Sequence, residues 1–141
     1  MPLKLSLKPG ERFVVNGAVL QNGDRRAVLL LQNKASILRE KDIIQPEDAN
    51  TPGRRIYFPI MMMYLEPVEA NRYYDDFVVR LNEFMTAIRS PDILKECVSL
   101  SREVMAQDYY KALTRCRRLL AYEERLLGNV HPGVPDDGAE D

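Results

Sequence analysis

The amino-acid sequence predicts an α+β protein in which a small antiparallel β-sheet or barrel is followed by helices. Three observations support this prediction. Apolar and polar residues alternate through the first third of the chain, the repeat lengthens to about 3.6 residues after Pro67, and the end is acidic with several prolines and glycines. We therefore expect an antiparallel β-domain over residues 1–66, a three-helix segment over residues 67–127 and a disordered acidic tail over residues 128–141.

Short strands separated by turns are expected up to residue 39. The stretch 3–7 places three leucines on one face, and residues 13–15 form the next strand after a Pro-Gly turn. Asn16-Gly17 fits a type I′ hairpin, because both residues tolerate a positive φ, and residues 18–20 return. The continuous apolar run 27–31 is typical of a strand covered on both faces, and residues 35–39 complete the series.

The stretch 45–53 is expected to be a loop, because it contains two prolines and has no apolar period. Beyond it, residues 54–58 and 60–65 are predicted to form one or two further strands. Pro59 would then mark an edge or a bulge, since proline cannot donate to the ladder. The three consecutive methionines at 61–63 are expected to fill the core.

Three amphipathic helices are expected after Pro67. The first is indicated by apolar residues spaced three and four apart, namely Tyr74, Phe77, Leu81, Phe84 and Ile88. The second begins at Ser90-Pro91, because serine is a favoured N-cap and proline fits the first helical position. A break at 107–108 precedes the third helix, over 109–127, for which Gly128 is the expected C-terminal cap.

The residue inventory gives little support to catalysis. The single histidine, His131, lies in the predicted disordered tail, where no neighbour can position it. The adjacent pairs Asp75-Asp76 and Glu123-Glu124 point about 100° apart on a helix, so neither pair forms a catalytic dyad. No phosphate loop or metal-ligand spacing occurs, and Cys97 and Cys116 are expected to be small buried side chains. We therefore expect neither an enzyme nor a cofactor or metal site.

Charge is distributed unevenly along the chain, although the net charge of the 141 residues is only −1. Residues 1–66 hold 10 basic and 7 acidic side chains, residues 67–127 hold 10 of each, and the tail holds 4 acids and no Lys or Arg. A basic row with an aromatic residue recurs along the third helix, at Lys111, Arg115, Arg118, Tyr122 and Arg125. The row is either a secondary RNA contact or a helix surface made soluble by arginine.

The chain starts without a basic segment followed by an apolar run, and its longest apolar stretch is interrupted by Pro59. A membrane span needs about 20 apolar residues, so no contact with a membrane is expected. The sequence predicts a cytoplasmic protein.

Six stretches are unusual enough to be compared with known families, namely residues 2–11, Asn16-Gly17-Ala18, residues 31–36, residues 38–42, residues 55–59 and residues 61–64. They closely resemble the FlbT family of flagellin-synthesis regulators. The resemblance covers nearly all of residues 1–127. It implies a post-transcriptional regulator that binds the 5′ untranslated region of flagellin mRNA, promotes its decay and couples flagellin synthesis to flagellum assembly. In some relatives of the family the effect is activating.

The first 44 residues also resemble the mRNA-binding regulator CsrA, in which a first strand and an arginine before a Glu line the RNA-binding edge. Here the matching ending is Arg39-Glu40 with Ile43, and the carried-over contacts are Leu5, Ser6, Lys8 and Arg39. Leu7 stands where that family usually has a second basic residue. Phosphates would be met by a set of exposed cations, namely Lys4, Lys8, Arg25, Arg26 and Lys41.

A protein-interaction module is the alternative that the sequence leaves open. Its helices would dock a flagellin, a secretion chaperone or another flagellar regulator, and effects on mRNA would be indirect. The Tyr73-Tyr74 and Tyr109-Tyr110 doublets favour this alternative, because each doublet can bury one ring and expose the other. A homodimer is expected as well, because unpaired strand edges favour association.

Overall fold

The structure is a computed structural model, and it describes residues 3–129. Within that range, five strands precede four helices: β1 (Leu3–Leu7), β2 (Arg12–Val15), β3 (Ala18–Gln21), β4 (Ala27–Leu31), β5 (Ile37–Arg39), α1 (Pro52–Leu65), α2 (Ala70–Ala87), α3 (Pro91–Met105) and α4 (Tyr109–Asn129). The predicted α+β class is confirmed. The tail that was predicted to be disordered lies, from residue 130 onwards, outside the described residues.

The strands form two small antiparallel sheets rather than a closed barrel. One is a two-stranded ribbon of β1 and β4, which we call the ribbon, in the register Leu5 opposite Leu29. The other is three-stranded, with the order β3-β2-β5. Asn16 and Gly17 have φ values of 50° and 84°, which confirms the predicted type I′ hairpin between β2 and β3.

Residues 54–65 are helical, so the strands predicted there were wrong. Thr51 caps α1 by accepting a hydrogen bond from the Arg54 N–H at 3.2 Å, and Pro52 occupies the first turn. Ile56, Ile60 and Met63 are buried at spacings of four and three, which is a helical period. Pro59 lies inside the helix, where its missing N–H forfeits one backbone bond.

Helix α1 forms the centre of the helical layer, and it packs against α2 and α4. The core contains Tyr57 and Ile60 of α1, Phe77 of α2 and Leu113 of α4. Leu38 of β5 joins the same cluster and links the sheet to the helices. Cys97 and Cys116 are buried free thiols in this core, as predicted, and burial raises the pKa of both.

The structure confirms the predicted start of α3 but not the predicted end of α4 or the predicted covering of β4. Ser90 caps α3 by accepting a hydrogen bond from the Ile93 N–H, as predicted, whereas Gly128 lies inside α4 instead of capping it. Strand β4 was predicted to be covered on both faces, and this prediction was wrong for the single chain. Its residues Val28, Leu29 and Leu30 are exposed in the described chain.

Candidate nucleic-acid interface

Three basic residues meet at one end of the ribbon. Because Leu7 pairs with Ala27, Lys8 and the Arg25-Arg26 pair flank the same end. The Asn22 side-chain amide donates to the carbonyls of Lys8 and Arg25, both at 2.8 Å, and so fixes the two backbones together. Lys8, Arg25 and Arg26 are exposed, and none has an ion-pair partner within residues 3–129. We call these three residues the basic end, and the exposed Asp24 beside it is a local acid.

The two faces of β1 differ in what they offer to a ligand. Lys4 and Ser6 are exposed and alternate with Leu5 and Leu7, which are buried. Lys4 and Ser6 therefore share one face of the ribbon with Lys8, which follows two residues later. Leu5 does not lie on that face. Its side chain is buried and packs inside the protein.

Arg39 is held between strands. Its guanidinium donates to Glu11 through Nε (3.0 Å) and through a terminal nitrogen (2.9 Å), and it also reaches the Ser6 carbonyl. Glu11 in turn accepts a hydrogen bond from the Lys8 N–H at 2.9 Å. That bond, together with Arg39, lowers the pKa of Glu11. Arg39 thus connects β5 to β1 and keeps part of its side chain accessible.

An open cleft of about 770 Å³ lies between the β-strands and α4. The rings of Tyr64 and Tyr110 line it with centroids 5.7 Å apart, and Tyr110 is exposed. Arg117 lies 6.0 Å from the Tyr110 ring centre and is ion-paired to Asp42 at 3.3 Å. The cations that line the cleft are Lys34, Arg39, Lys41 and Arg117.

The cleft walls are fixed by hydrogen bonds to the backbone. The Tyr64 hydroxyl accepts from the Ile37 N–H at 2.8 Å and donates to the Ile37 carbonyl at 2.9 Å. The buried Tyr57 hydroxyl donates to the Asp42 carbonyl at 2.6 Å, and burial raises the pKa of Tyr57 to about 12. The cleft is therefore preformed, and it presents aromatic faces beside positive charge.

The basic row predicted on α4 is partly neutralised. Arg115 donates to Glu103 of α3 at 2.9 Å and to Glu96 at 2.7 Å, and these bonds raise the pKa of Arg115. Arg118 lies 3.6 Å from the same Glu96. Lys111 and Arg125 are exposed and Tyr122 is half-buried. Part of the row thus forms ion pairs between α3 and α4. This favours a role of these arginines on the helix surface over a secondary RNA contact.

Sequence reasoning missed the aromatic part of this surface. Tyr64 was assigned to a strand, and Arg117 was not selected because it lies off the row that contains Arg115 and Arg118. The Tyr109-Tyr110 doublet was the available signal, since its second ring is the exposed one in the cleft. Within residues 3–129, no group of three or more potential ligands could hold a metal ion, and no helix could cross a membrane.

The fold and this surface define a small α+β protein that carries a basic β-ribbon beside an aromatic cleft. The family model described as flagellar protein FlbT matches residues 3–127, so the chain belongs to the FlbT family. A relative from Caulobacter vibrioides strain CB 15, named flagellum biosynthesis repressor protein FlbT, is 61% identical over 138 residues, which is 98% of each chain.

Two further relatives carry the name of probable flagellum biosynthesis repressor. The protein from Caulobacter sp. strain K31 is 62% identical over 130 residues, covering 92% of this chain and 99% of its own length. The protein from Bradyrhizobium diazoefficiens is 36% identical over 141 residues, covering 97% and 94%. No solved structure matches this chain.

Proposed function

We propose that this protein is a cytoplasmic repressor of flagellin synthesis that acts after transcription and has no catalytic activity of its own. It binds the 5′ untranslated region of flagellin mRNA and promotes degradation of that mRNA. Synthesis of flagellin is thereby coupled to flagellum assembly. The names of the relatives support the repressor role, and the RNA step is argued from the surface of the β-strands.

The main support for RNA binding is the basic end. Lys8, Arg25 and Arg26 are exposed on two connections that the Asn22 side chain joins, and Lys4 extends the positive charge along the ribbon. Cations in such a row neutralise phosphates and release counterions, which is the main source of affinity for nucleic acid. The arrangement suits a single strand that follows the ribbon.

The cleft supplies the second half of the proposed interface. Sequence-specific RNA recognition generally targets unpaired bases, which stack on aromatic side chains. The exposed Tyr110 ring beside Arg117 offers such a platform, and Lys41 at the cleft wall can meet a phosphate. A loop of the leader would place its backbone on the ribbon and one base in the cleft.

The direct test replaces the three cations of the basic end together, in a Lys8→Gln, Arg25→Gln, Arg26→Gln variant. The matched control carries Arg89→Gln, Lys95→Gln and Arg102→Gln, because these residues are also exposed and lack ion-pair partners among the described residues. Both variants change the net charge equally. Fluorescence anisotropy with a labelled flagellin leader measures the affinity at several salt concentrations.

We expect the basic-end variant to lose at least about tenfold in affinity, and its salt dependence to weaken by roughly 0.7 per lost phosphate contact. The control should keep the affinity of the unchanged protein. Equal losses in both variants would mean that affinity depends on the net charge of the protein and not on the position of these cations. Unchanged affinity in the basic-end variant would remove these cations from the interface.

A second candidate function is docking of a protein helix, and a specific groove favours it. A groove of about 480 Å³ lies among α1, α2, α3 and α4, and its lining includes Val68, Tyr74 and Met105. Val68 and Met105 are exposed apolar side chains beside a groove whose remaining surface is largely polar, and they suit apolar residues of a flagellin, chaperone or regulator helix. Such binding would change little with salt, whereas RNA binding through the basic end would weaken steeply.

A further inference from the structure

Strand β4 is uncovered in the single chain. Val28, Leu29 and Leu30 are 56%, 43% and 58% exposed, although the run Ala27–Leu31 is entirely apolar. The register puts Leu29 on the face of Leu5, and Val28 and Leu30 on the face of Lys4 and Ser6. Both faces of β4 therefore expose aliphatic side chains to water.

The ribbon also has an open outer edge. Among the described residues, β4 pairs with β1 and with no other strand, so its second edge is open. Leu5 and Leu7 of β1 are buried and hold the ribbon against the rest of the chain, whereas the second edge of β4 has no such support among the described residues. Open edges are normally protected by charge, proline or a bulge, and Ala27–Leu31 has none of these. Strand β1 differs, since Lys4 lies within it.

We propose that two copies of the chain associate by pairing β4 with β4 in antiparallel fashion about a two-fold axis at Leu29. The product is a continuous four-stranded sheet in the order β1-β4-β4-β1. Such an interface is isologous, so the same strand serves as donor and acceptor surface in both subunits. It closes the open β4 edge of each ribbon.

Self-complementarity is the reason for choosing a second copy as the occupant. With the axis at Leu29, Val28 faces Leu30 of the partner subunit and Ala27 faces Leu31 of the partner subunit. Every cross-strand pair is then aliphatic, and no charge meets another across the axis. An RNA strand is a poor occupant, because these side chains offer its phosphates no cation.

The first measurement is the mass of the full chain in solution, by light scattering and sedimentation velocity. We expect twice the chain mass of 16.2 kDa for the unchanged protein. Leu29→Lys should return the mass to that of one chain, because it places two like charges on the axis. The control Val68→Lys, at an exposed apolar residue outside the strands, should keep the doubled mass.

A cysteine pair tests the register even if Leu29→Lys fails to fold. Directly opposed residues of an antiparallel pair have Cα atoms about 4.5–5.5 Å apart, within the range of a disulfide. Leu29→Cys should therefore cross-link the two subunits under mild oxidation. Val28→Cys should not, since its copies would be offset by two residues, about 6.8 Å along the strand. The native Cys97 and Cys116 are buried and do not compete.

Three outcomes would overturn the inference. They are a mass of one chain for the unchanged protein at every concentration, a folded Leu29→Lys variant that stays doubled, and a Val28→Cys variant that cross-links as readily as Leu29→Cys. The last outcome would mean a different register or a different contact surface. None of these measurements involves RNA, so the result is independent of the proposed function.

Discussion

At the level of single residues, Arg39 has one role that the structure shows and another that we propose. Its guanidinium bonds to Glu11 and to the Ser6 carbonyl, and this joins β5 to the first strand. It also lines the cleft, where it can meet RNA. The resemblance to CsrA implied only the second role. The structure adds the first, which sequence could not supply because Glu11 and Arg39 are 28 residues apart.

Two variants distinguish these roles. We expect Arg39→Ala to weaken binding of the flagellin leader by about 1–3 kcal/mol, the usual cost of losing a charge-assisted contact. Glu11→Gln loosens the same strand connection but leaves the guanidinium charged, so its affinity should stay near that of the unchanged protein. Anisotropy titrations check both values. Equal losses in the two variants would make Arg39 a structural residue only.

Glu11 also makes stability depend on pH. The Lys8 N–H and Arg39 favour its ionised form and lower its pKa from 4.5. Its contribution to stability is therefore complete above about pH 4.5 and is lost as the pH falls through the lowered folded-state value. Denaturant unfolding at a series of pH values should show this loss. Glu11→Gln should flatten that part of the curve, and an unchanged curve would contradict the assignment.

At the scale of elements, α1 depends on a carboxylate supplied by α4. Glu123 is buried, and it accepts hydrogen bonds from the Thr51 hydroxyl at 2.6 Å and from the Gly53 N–H at 2.8 Å. The negative charge thus lies at the N-terminus of α1, where it interacts favourably with the positive end of the helix dipole. A Cβ at Gly53 would lie 2.8 Å from a carboxylate oxygen of Glu123, so a larger residue there would have to displace this carboxylate.

We expect Glu123→Ala to lower the free energy of unfolding by about 2–4 kcal/mol, because one buried and one half-buried donor lose a charged acceptor. The adjacent Glu124→Ala is the matched control. Glu124 is exposed and lies 4.0 Å from Arg54, so its loss should change stability by no more than about 0.5 kcal/mol. Urea unfolding followed by circular dichroism measures both. Similar values for the two variants would show that Glu123 does not support α1.

The elements differ in how far the sequence could predict them. Alternation and turn dipeptides were sufficient for the strands, and Ser90-Pro91 was sufficient for the start of α3. Thr51-Pro52 is the same kind of signal, yet Pro59 and the β-favouring residues near it made α1 look like strands. Its carboxylate support comes from Glu123, 70 residues away from Gly53, so no local pattern could reveal it.

At the scale of the whole molecule, charge was the least predictable property. The sequence gives the number of cations, whereas tertiary contacts decide which of them are neutralised. Arg115 faces the acids of α3, while Lys8, Arg25 and Arg26 remain exposed at the basic end. The exposure of β4 is likewise visible only in three dimensions. The apolar run correctly indicated a strand, but the predicted covering of both its faces was wrong, since Val28, Leu29 and Leu30 are exposed.

Ultraviolet cross-linking of a labelled flagellin leader to the protein, followed by mapping of the modified peptides, tests whether RNA binds to the ribbon and the cleft. We expect cross-linked nucleotides on peptides that contain the ribbon and its basic end, and on the peptide that carries Tyr110 in the cleft. Cross-links confined to α2 and α3, or a purified protein that does not bind flagellin leaders at all, would contradict it.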